Sequence, residues 1–474
     1  MGVWQRLWAT QAHDRLTPEH AGGAGLKRCL GLAGLVGVGL GTMLGGIFTT
    51  IGPGAQVAGG GGVIASFALT GVACVFVALC YAEFASMVPI AGSAYTYAYA
   101  TLGEFVAWII GWDLILEYGI SVAPSASAWS GYVQTFIGNY GVQLPDALKV
   151  AHLAFGNGGL DLAHSSIDLL AILAVLAIST LLAVGIKESS SLNTLFVGVQ
   201  VVAIVIFVVA LFGAVSPAHF VPAFPFGGGG VIAGAALVFF AYIGFDTVTV
   251  ASEEAREPTR DVPRAVVLSL IIGIVIFMSA AYVTIGIVPW QTVDQNAAMA
   301  DAVKHAGNAH WLAAIVFAGA FAGLTTVMLT SMLGQIRIFF VMARDRMLPP
   351  IVAQVNPRTQ TPVFITLTTG VLVAILAGII PIAELLSLVN VGTLSAFFIV
   401  CVGVLVLRLR KPDAVRPFRA PFIMVTAPLG AILCVVVMTG LGTITWIRFV
   451  VWFLVGAAIY AAYGYRMSLL RSTR

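Results

Sequence analysis

The chain has 474 residues, of which 59% are apolar and only 9% are charged, and its mean hydropathy is +1.01. Water-soluble domains carry about a quarter charged residues, so this composition excludes a soluble globular protein. The net charge is +3, and its basic residues are divided among short loops between apolar runs, so it gives no indication of nucleic acid binding.

The apolar runs predict an all-α integral membrane protein with about twelve membrane-spanning helices, which we number as spans 1 to 12. The run from Cys29 to Ala82 contains no Asp, Glu, Lys or Arg. It is too long for one helix of ~20 residues, so it holds two spans, separated at the glycines 59–62. The predicted spans are 29–57, 63–86, 103–138, 167–186, 193–215, 231–254, 264–288, 310–341, 362–380, 386–408, 421–441 and 446–467.

The loops predict the orientation of the chain in the membrane. If the N-terminus is cytoplasmic, eighteen basic residues lie on the inner side: Arg6, Arg15, Lys27, Arg28, Arg256, Arg260, Arg264, Arg344, Arg346, Arg358, Arg408, Arg410, Lys411, Arg416, Arg419, Arg466, Arg471 and Arg474. The outer side keeps Lys149, Lys304 and Arg448. Because Lys and Arg concentrate on the cytoplasmic side, we expect a multi-pass protein of the cell (inner or plasma) membrane with both termini cytoplasmic.

Span 1 carries closely spaced glycines, from Gly37 to Gly46. Gly41 and Gly45 fit a G-x-x-x-G pair, which favours close helix packing. The glycines are also dense enough to favour an unwound segment, which is our expectation for 41–46. If so, the N–H groups of Thr42, Met43, Leu44, Gly45 and Gly46 would bind a carboxylate, because a free helix N-terminus carries partial positive charge.

Glu117 and Asp113 lie four residues apart on span 3, and so on one helical face. Span 6 contains Asp246 directly after Gly244-Phe245. An unpaired charge in hydrocarbon is costly and typically marks a transport pathway, and Gly244 weakens the helix at that level. The carbonyls near Phe240, Ala241 and Ile243 would then bind an ammonium group.

Spans 1 and 6 are both interrupted by glycine, and spans 3 and 8 are the two longest. Matching irregular spans are typical of an inverted-repeat transporter. We therefore predict a cytoplasmic tail (1–28), a first five-span repeat (29–215), a second five-span repeat (231–408), two peripheral spans (421–467) and a cytoplasmic tail (468–474). Sites for a carboxylate and an ammonium at one level are matched to an α-amino acid.

Four segments resemble the amino acid–polyamine–organocation (APC) superfamily, most closely its cationic amino acid transporters. They are Gly41–Phe48, Pro89–Tyr95, Phe240–Asp246 with Glu253–Pro258, and Gly334–Arg337 with Met342–Pro349. The resemblance implies a LeuT-type fold and an amino acid permease. It also implies that Lys187 of span 5 is a proton switch, with protons as the coupling ion and Glu117 as its candidate partner. On position alone, Lys187 reads as an interfacial lysine.

Other functions remain open at this point. The substrate implied is a cationic amino acid, but members of the superfamily also carry neutral amino acids or amines, and a non-transporting amino acid sensor has the same fold. A membrane enzyme is disfavoured, because the five cysteines and seven histidines form no C-x-x-C or paired-ligand pattern. We expect no cofactor and no metal. The expected partners are the amino acid and the lipid bilayer; a small membrane-protein partner is left unidentified.

Overall fold

The computed structural model describes residues 30–87, 103–156, 159–185, 190–250, 255–307, 309–359, 361–410 and 412–467. These residues are mostly helical, with one antiparallel pair of strands between spans 3 and 4, β1 (His152–Gly156) and β2 (Gly159–Ser166). The predicted fold class, an all-α integral membrane protein, is confirmed.

The helices occupy the places predicted for the spans. Span 1 consists of Leu32–Gly45 and Ile47–Ala58, and spans 2 to 5 are Gly60–Met87, Glu104–Gly138, Leu169–Val184 and Ser190–Leu211. Span 6 consists of Gly227–Val238, the 3₁₀ turn Phe239–Tyr242 and Thr247–Val250. Spans 7 to 12 are Pro258–Ile287, His310–Arg344, Val363–Ile379, Ile382–Arg410, Ile423–Met438 and Thr443–Ile459. A π-helical turn, Tyr460–Gly464, and a last turn, Tyr465–Met467, extend span 12, and a short helix, Ala298–His305, joins spans 7 and 8.

In the described part of the chain, eight helices are long and apolar enough to cross a membrane, and the bent pair of span 1 makes nine. Three shorter apolar helices, which form spans 4, 9 and 11, take the remaining predicted places. The number twelve and the boundaries of the two repeats therefore stay predictions.

The expectation of an unwound segment at 41–46 is wrong. Span 1 is helical through Gly45 and bends by 45° at Gly46, whose backbone is itself right-handed (φ −65°, ψ −23°). The Gly46 N–H donates to Met43 O (3.0 Å), and Thr49 N–H donates to Gly46 O (3.1 Å). Since hydrogen bonds continue on both sides of Gly46, the break is a kink with few free backbone donors.

Span 6 does break where the sequence predicts it. The 3₁₀ turn ends at Tyr242, Ile243 is extended (ψ 128°), and Gly244 has φ +125°, a conformation that L side chains rarely adopt. A helical turn resumes at Thr247. The break therefore depends on a glycine at position 244.

The spans pack as two groups. Spans 1, 2, 6 and 7 form one group, which we call the bundle, and spans 3, 4, 8 and 9 form the other, which we call the scaffold. Within the bundle, Tyr242 donates to Phe67 O (2.7 Å) and packs edge-on against Phe277. Span 5 contacts spans 1, 7 and 8, and span 10 contacts spans 2, 3 and 6, so both lie between the groups.

Candidate functional site

Spans 1 and 6 touch at their breaks. A Cβ atom added to Gly46 would lie 2.6 Å from Ala241 Cα, and one added to Gly244 would lie 2.7 Å from Thr42 Cβ. Contacts this short leave no room for a side chain at either glycine. The two glycines therefore set the closest approach of the two interrupted spans.

Two hydroxyl groups connect the spans at the same level. Thr42 Oγ1 lies 2.9 Å from Thr247 Oγ1, and Thr247 Oγ1 donates to Gly244 O (2.5 Å). Thr42 belongs to span 1, whereas Thr247 begins the second half of span 6. The contact thus joins span 1 to the helical turn that follows the span 6 break.

A small cavity of about 30 Å³ lies beside this crossing, between spans 1, 3, 6 and 8. Six of the residues predicted for substrate binding or coupling line it: Thr42, Gly46, Phe240, Ile243, Asp246 and Glu117. Glu117, predicted as a coupling residue, thus shares a cavity with the predicted binding residues. A volume of 30 Å³ accommodates water but no amino acid, so a ligand needs a wider conformation.

Four other predicted binding residues, Met43, Leu44, Gly45 and Ala241, are buried but do not line the cavity. Gly45 faces span 8, where an added Cβ would lie 2.5 Å from Val327 Cγ2 and 2.7 Å from Gly323 O. For Gly45 the packing interpretation is therefore correct, and the expected carboxylate contact is not formed there. The reason is that the intact helix turns this face toward span 8.

The two carboxylates of the cavity have different surroundings. Asp246 accepts hydrogen bonds from Gly244 N–H (3.2 Å) and Tyr118 Oη (3.4 Å). Neither carboxylate oxygen of Glu117 has a hydrogen-bond partner among the described residues. Both side chains are 1% exposed, and no Lys, Arg or His is among the described residues around the cavity. Such carboxylates need a proton or a cation.

Asp113, one turn from Glu117 on span 3, belongs elsewhere. Its Oδ2 accepts a hydrogen bond from Ser395 of span 10 (3.0 Å), and the residue does not line the cavity. This carboxylate therefore connects spans 3 and 10, although its spacing from Glu117 places both residues on one helical face. Lys187, the predicted proton switch, lies outside the described residues.

Sequence reasoning missed most of the hydroxyl groups of the cavity. Spans 3 and 8 contribute Tyr118, Ser121, Thr330 and Ser331, together with the apolar Val327. The available signal is the occurrence of polar residues within two long apolar spans. That signal is weak, because hydroxyl groups in membrane helices also bond their own backbone, as Thr330 does to Thr326 O (2.8 Å).

A second, larger cavity of about 750 Å³ opens at the C-terminal end of span 3. Its walls include Gln134, Lys149, His152 and Asn296, from span 3, the strand-bearing loop and the loop between spans 7 and 8. Gln134 Nε2 holds that strand-bearing loop by donating to Lys149 O (2.7 Å). The hydrogen-bonded Lys149 ammonium also keeps the pKa of Asp146 below its usual range. This cavity has both polar and apolar walls and is wide enough to admit a small solute.

Comparison with known proteins gives consistent matches along the chain. The family model described as amino acid permease matches residues 30–467. The branched-chain amino acid permease BcaP of Bacillus subtilis (strain 168) is 40% identical over 454 residues, covering 95% of this chain and 96% of that protein. The methylthioribose transporter of the same organism is 38% identical, covering 94% and 95%. The vacuolar cationic amino acid transporter 4 of Arabidopsis thaliana is 38% identical, covering 82% of this chain and 65% of that protein.

Proposed function

The chain belongs to the amino acid permease family, within the superfamily that its motifs resemble, and from this premise we propose that it is a proton-coupled secondary transporter that moves an amino acid by alternating access. The observation that carries the proposal is the cavity where the kink of span 1 meets the break of span 6. A site between two interrupted helices at the membrane midplane is typical of such carriers.

The cavity volume supports a mechanism with moving parts. At about 30 Å³ the cavity is far smaller than the ~300–1,000 Å³ of ordinary ligand sites. Its walls come from bundle spans 1 and 6 and from scaffold spans 3 and 8. Movement of the bundle relative to the scaffold therefore widens the cavity toward one side of the membrane. Alternating access consists of such a movement.

For the substrate we propose a cationic amino acid, arginine or lysine. Asp246 and Glu117 place two carboxylates at the cavity, with no cationic side chain among its described lining residues. The α-ammonium group and the basic side chain of such a substrate neutralise these two carboxylates. The similarity to a protein named as a cationic amino acid transporter agrees with this choice.

A branched-chain amino acid is the second candidate. Phe240, Ile243 and Val327 give the cavity an apolar wall, and the relative named as a branched-chain permease matches nearly the whole chain. With a neutral substrate, one carboxylate would pair with the α-ammonium and the other would hold a proton. The protonated carboxylate would then itself be the coupling group.

We place the transporter in the cell membrane, with both termini in the cytoplasm and protons as the coupling ion. The distribution of Lys and Arg supports the orientation. The resemblance to proton-coupled members of the superfamily supports Lys187 as the proton switch. Glu117, buried and without a hydrogen-bond partner among the described residues, is the best alternative site for the proton.

Uptake into proteoliposomes tests this proposal. Labelled arginine, lysine, leucine, isoleucine and valine are supplied with and without an inward proton gradient. We expect gradient-driven accumulation of arginine and lysine; accumulation of the branched-chain set alone selects the second candidate. Binding of an amino acid, seen as a raised unfolding temperature, without uptake or counterflow would identify a sensor and overturn the proposal.

A further inference from the structure

Two buried carboxamides each hold one half of an interrupted span. Gln200 of span 5 donates from Nε2 to Gly41 O of span 1 (3.2 Å). Asn390 of span 10 donates from Nδ2 to Ala236 O (2.7 Å) and Leu237 O (3.1 Å) of span 6. Both side chains are 0% exposed. In each case the acceptor lies about one to two helical turns before the break of its span.

The two contacts occupy equivalent places in the predicted repeats. Spans 1 and 6 are the first, and spans 5 and 10 the last, of their five-span units. Each carboxamide therefore joins the last span of a unit to the first. Because the units are inverted, Gly41 lies in the cytoplasmic half of span 1, whereas Ala236 lies in the outer half of span 6.

Packing alone does not explain a carboxamide at either position. Gln200 Oε1 and Asn390 Oδ1 have no hydrogen-bond partner among the described residues. A Cβ added to Gly323 of span 8 would lie 2.5 Å from Gln200 Oε1, so that carboxamide is closely confined. Burial of an unpaired polar atom is unfavourable, and an apolar side chain would avoid it. The hydrogen bonds that the two amide groups donate therefore explain why Gln and Asn occupy these buried positions.

We propose that Gln200 and Asn390 are paired positioning residues that set the balance between the two access states of the transporter. Gln200 holds the cytoplasmic half of span 1 in its closed position, and Asn390 holds the outer half of span 6 in its closed position. This inference rests on the proposed function, since only alternating access requires each half to move separately. Loss of the two residues should shift the balance in opposite directions.

The labelling rate of a single cysteine in the small cavity measures the balance between the two access states. Ser331→Cys is placed in a background without the native cysteines, and a membrane-impermeant maleimide is applied to right-side-out and to inside-out vesicles. Gln200→Met should raise the ratio of cytoplasmic to outer labelling rates by about three- to tenfold, the effect of one buried hydrogen bond. Asn390→Leu should lower the ratio by a similar factor, and the double variant should return toward the parent value.

Thr70→Val is the matched control. It removes a buried hydrogen bond from Thr70 Oγ1 of span 2 to Ala235 O of span 6 (3.2 Å), next to the acceptor of Asn390 but within the bundle. Since no contact of span 5 or span 10 with an interrupted span is lost, its labelling ratio should equal that of the parent. If Gln200→Met or Asn390→Leu is not recovered in membranes, Gln200→Asn and Asn390→Ser should shift the ratio in the same two directions.

The inference is overturned if both substitutions shift the ratio in one direction, if neither shifts it, or if the ratio of the double variant does not return toward the parent value. Failure of the proposed function gives another result. In that case the parent thiol is labelled from one side only and does not respond to any amino acid, before either carboxamide is changed.

Discussion

Gly46 of span 1 lies directly against Ala241 of span 6, so that a Cβ atom at Gly46 would be 2.6 Å from Ala241 Cα and 3.2 Å from Phe240 O. This contact brings the kink of one span onto the break of the other. It also explains why the kink occurs at this glycine: the intact helix before it packs on span 8 through Gly45, and the bend turns the chain along span 6.

Gly46→Ala should reduce amino acid uptake by at least about tenfold, because the added methyl group forces spans 1 and 6 apart beside the cavity, and overpacking of this kind typically costs ~1–3 kcal/mol. Gly37→Ala is the control, since a Cβ at Gly37 of the same span meets nothing within 4 Å. Alanine there should leave uptake unchanged and stabilise the helix slightly. Uptake rates of the two variants in proteoliposomes, at equal protein content, check the prediction; equal activity would contradict it.

Asp246→Asn should weaken uptake of arginine or lysine by about tenfold or more, and uptake of leucine far less. A hydrogen bond between charged groups contributes ~1.5–3 kcal/mol to binding. Only a substrate with a basic side chain makes this bond to Asp246, so only such a substrate loses it in the variant. Competition among labelled amino acids for the variant measures the ratio. Asp246 also accepts a hydrogen bond from Gly244 N–H at the break (3.2 Å). Equal losses for every substrate would therefore assign it to the shape of span 6.

The sequence predicted span 6 better than span 1, for a physical reason. At span 6, a carboxylate within an apolar run and the adjacent Gly244 both signal a break, and both are properties of the local sequence. At span 1, the direction that each glycine faces decides its role. Gly45 meets Gly323 and Val327 of span 8, which are far away in the sequence. Local spacing therefore could not distinguish the packing glycine from Gly46, its neighbour.

The residues of the small cavity also differ in whether the local sequence reveals their role. Asp246 and Glu117 could be found because a charge in a membrane span needs an explanation. Thr330 and Ser331 carry no such signal, since a hydroxyl group in a helix can be satisfied by its own backbone. Their place at the cavity depends on how span 8 packs against spans 1 and 3. Only the tertiary structure provides that information.

Glu83→Gln should strongly lower the stability of the protein. Glu83 is 1% exposed; its Oε2 lies 2.6 Å from Arg408 Nη2 and its Oε1 3.3 Å from Arg416 Nε, and it accepts from Ala420 N–H (2.8 Å). Removing one partner of a buried ion pair typically costs ~3–5 kcal/mol, because a buried charge remains unpaired. Thermal unfolding of the purified protein measures the loss.

An exposed ion pair provides the control for Glu83. Glu384 lies 2.7 Å from Arg448, and both side chains are largely accessible (50% and 40% exposed). Glu384→Gln should therefore change the free energy of unfolding by only ~0–1 kcal/mol. A similar fall in unfolding temperature for both variants would show that the Glu83 cluster does not stabilise the C-terminal ends of spans 2 and 10.

Lys187→Ala should abolish accumulation driven by a proton gradient while leaving some amino acid binding. In the proposed mechanism the protonated ammonium of Lys187 holds span 5 to span 1, and its loss of a proton frees span 1 to move. Coupling between a proton and a substrate typically amounts to ~1–3 kcal/mol, enough to drive accumulation and to be lost with one residue. Uptake with and without external acid, together with ligand-dependent thermal stability, separates transport from binding.

Glu117→Gln is the companion variant. If Lys187→Ala still accumulates substrate in response to acid whereas Glu117→Gln does not, the proton is carried by the cavity carboxylate, and Lys187 is an interfacial lysine.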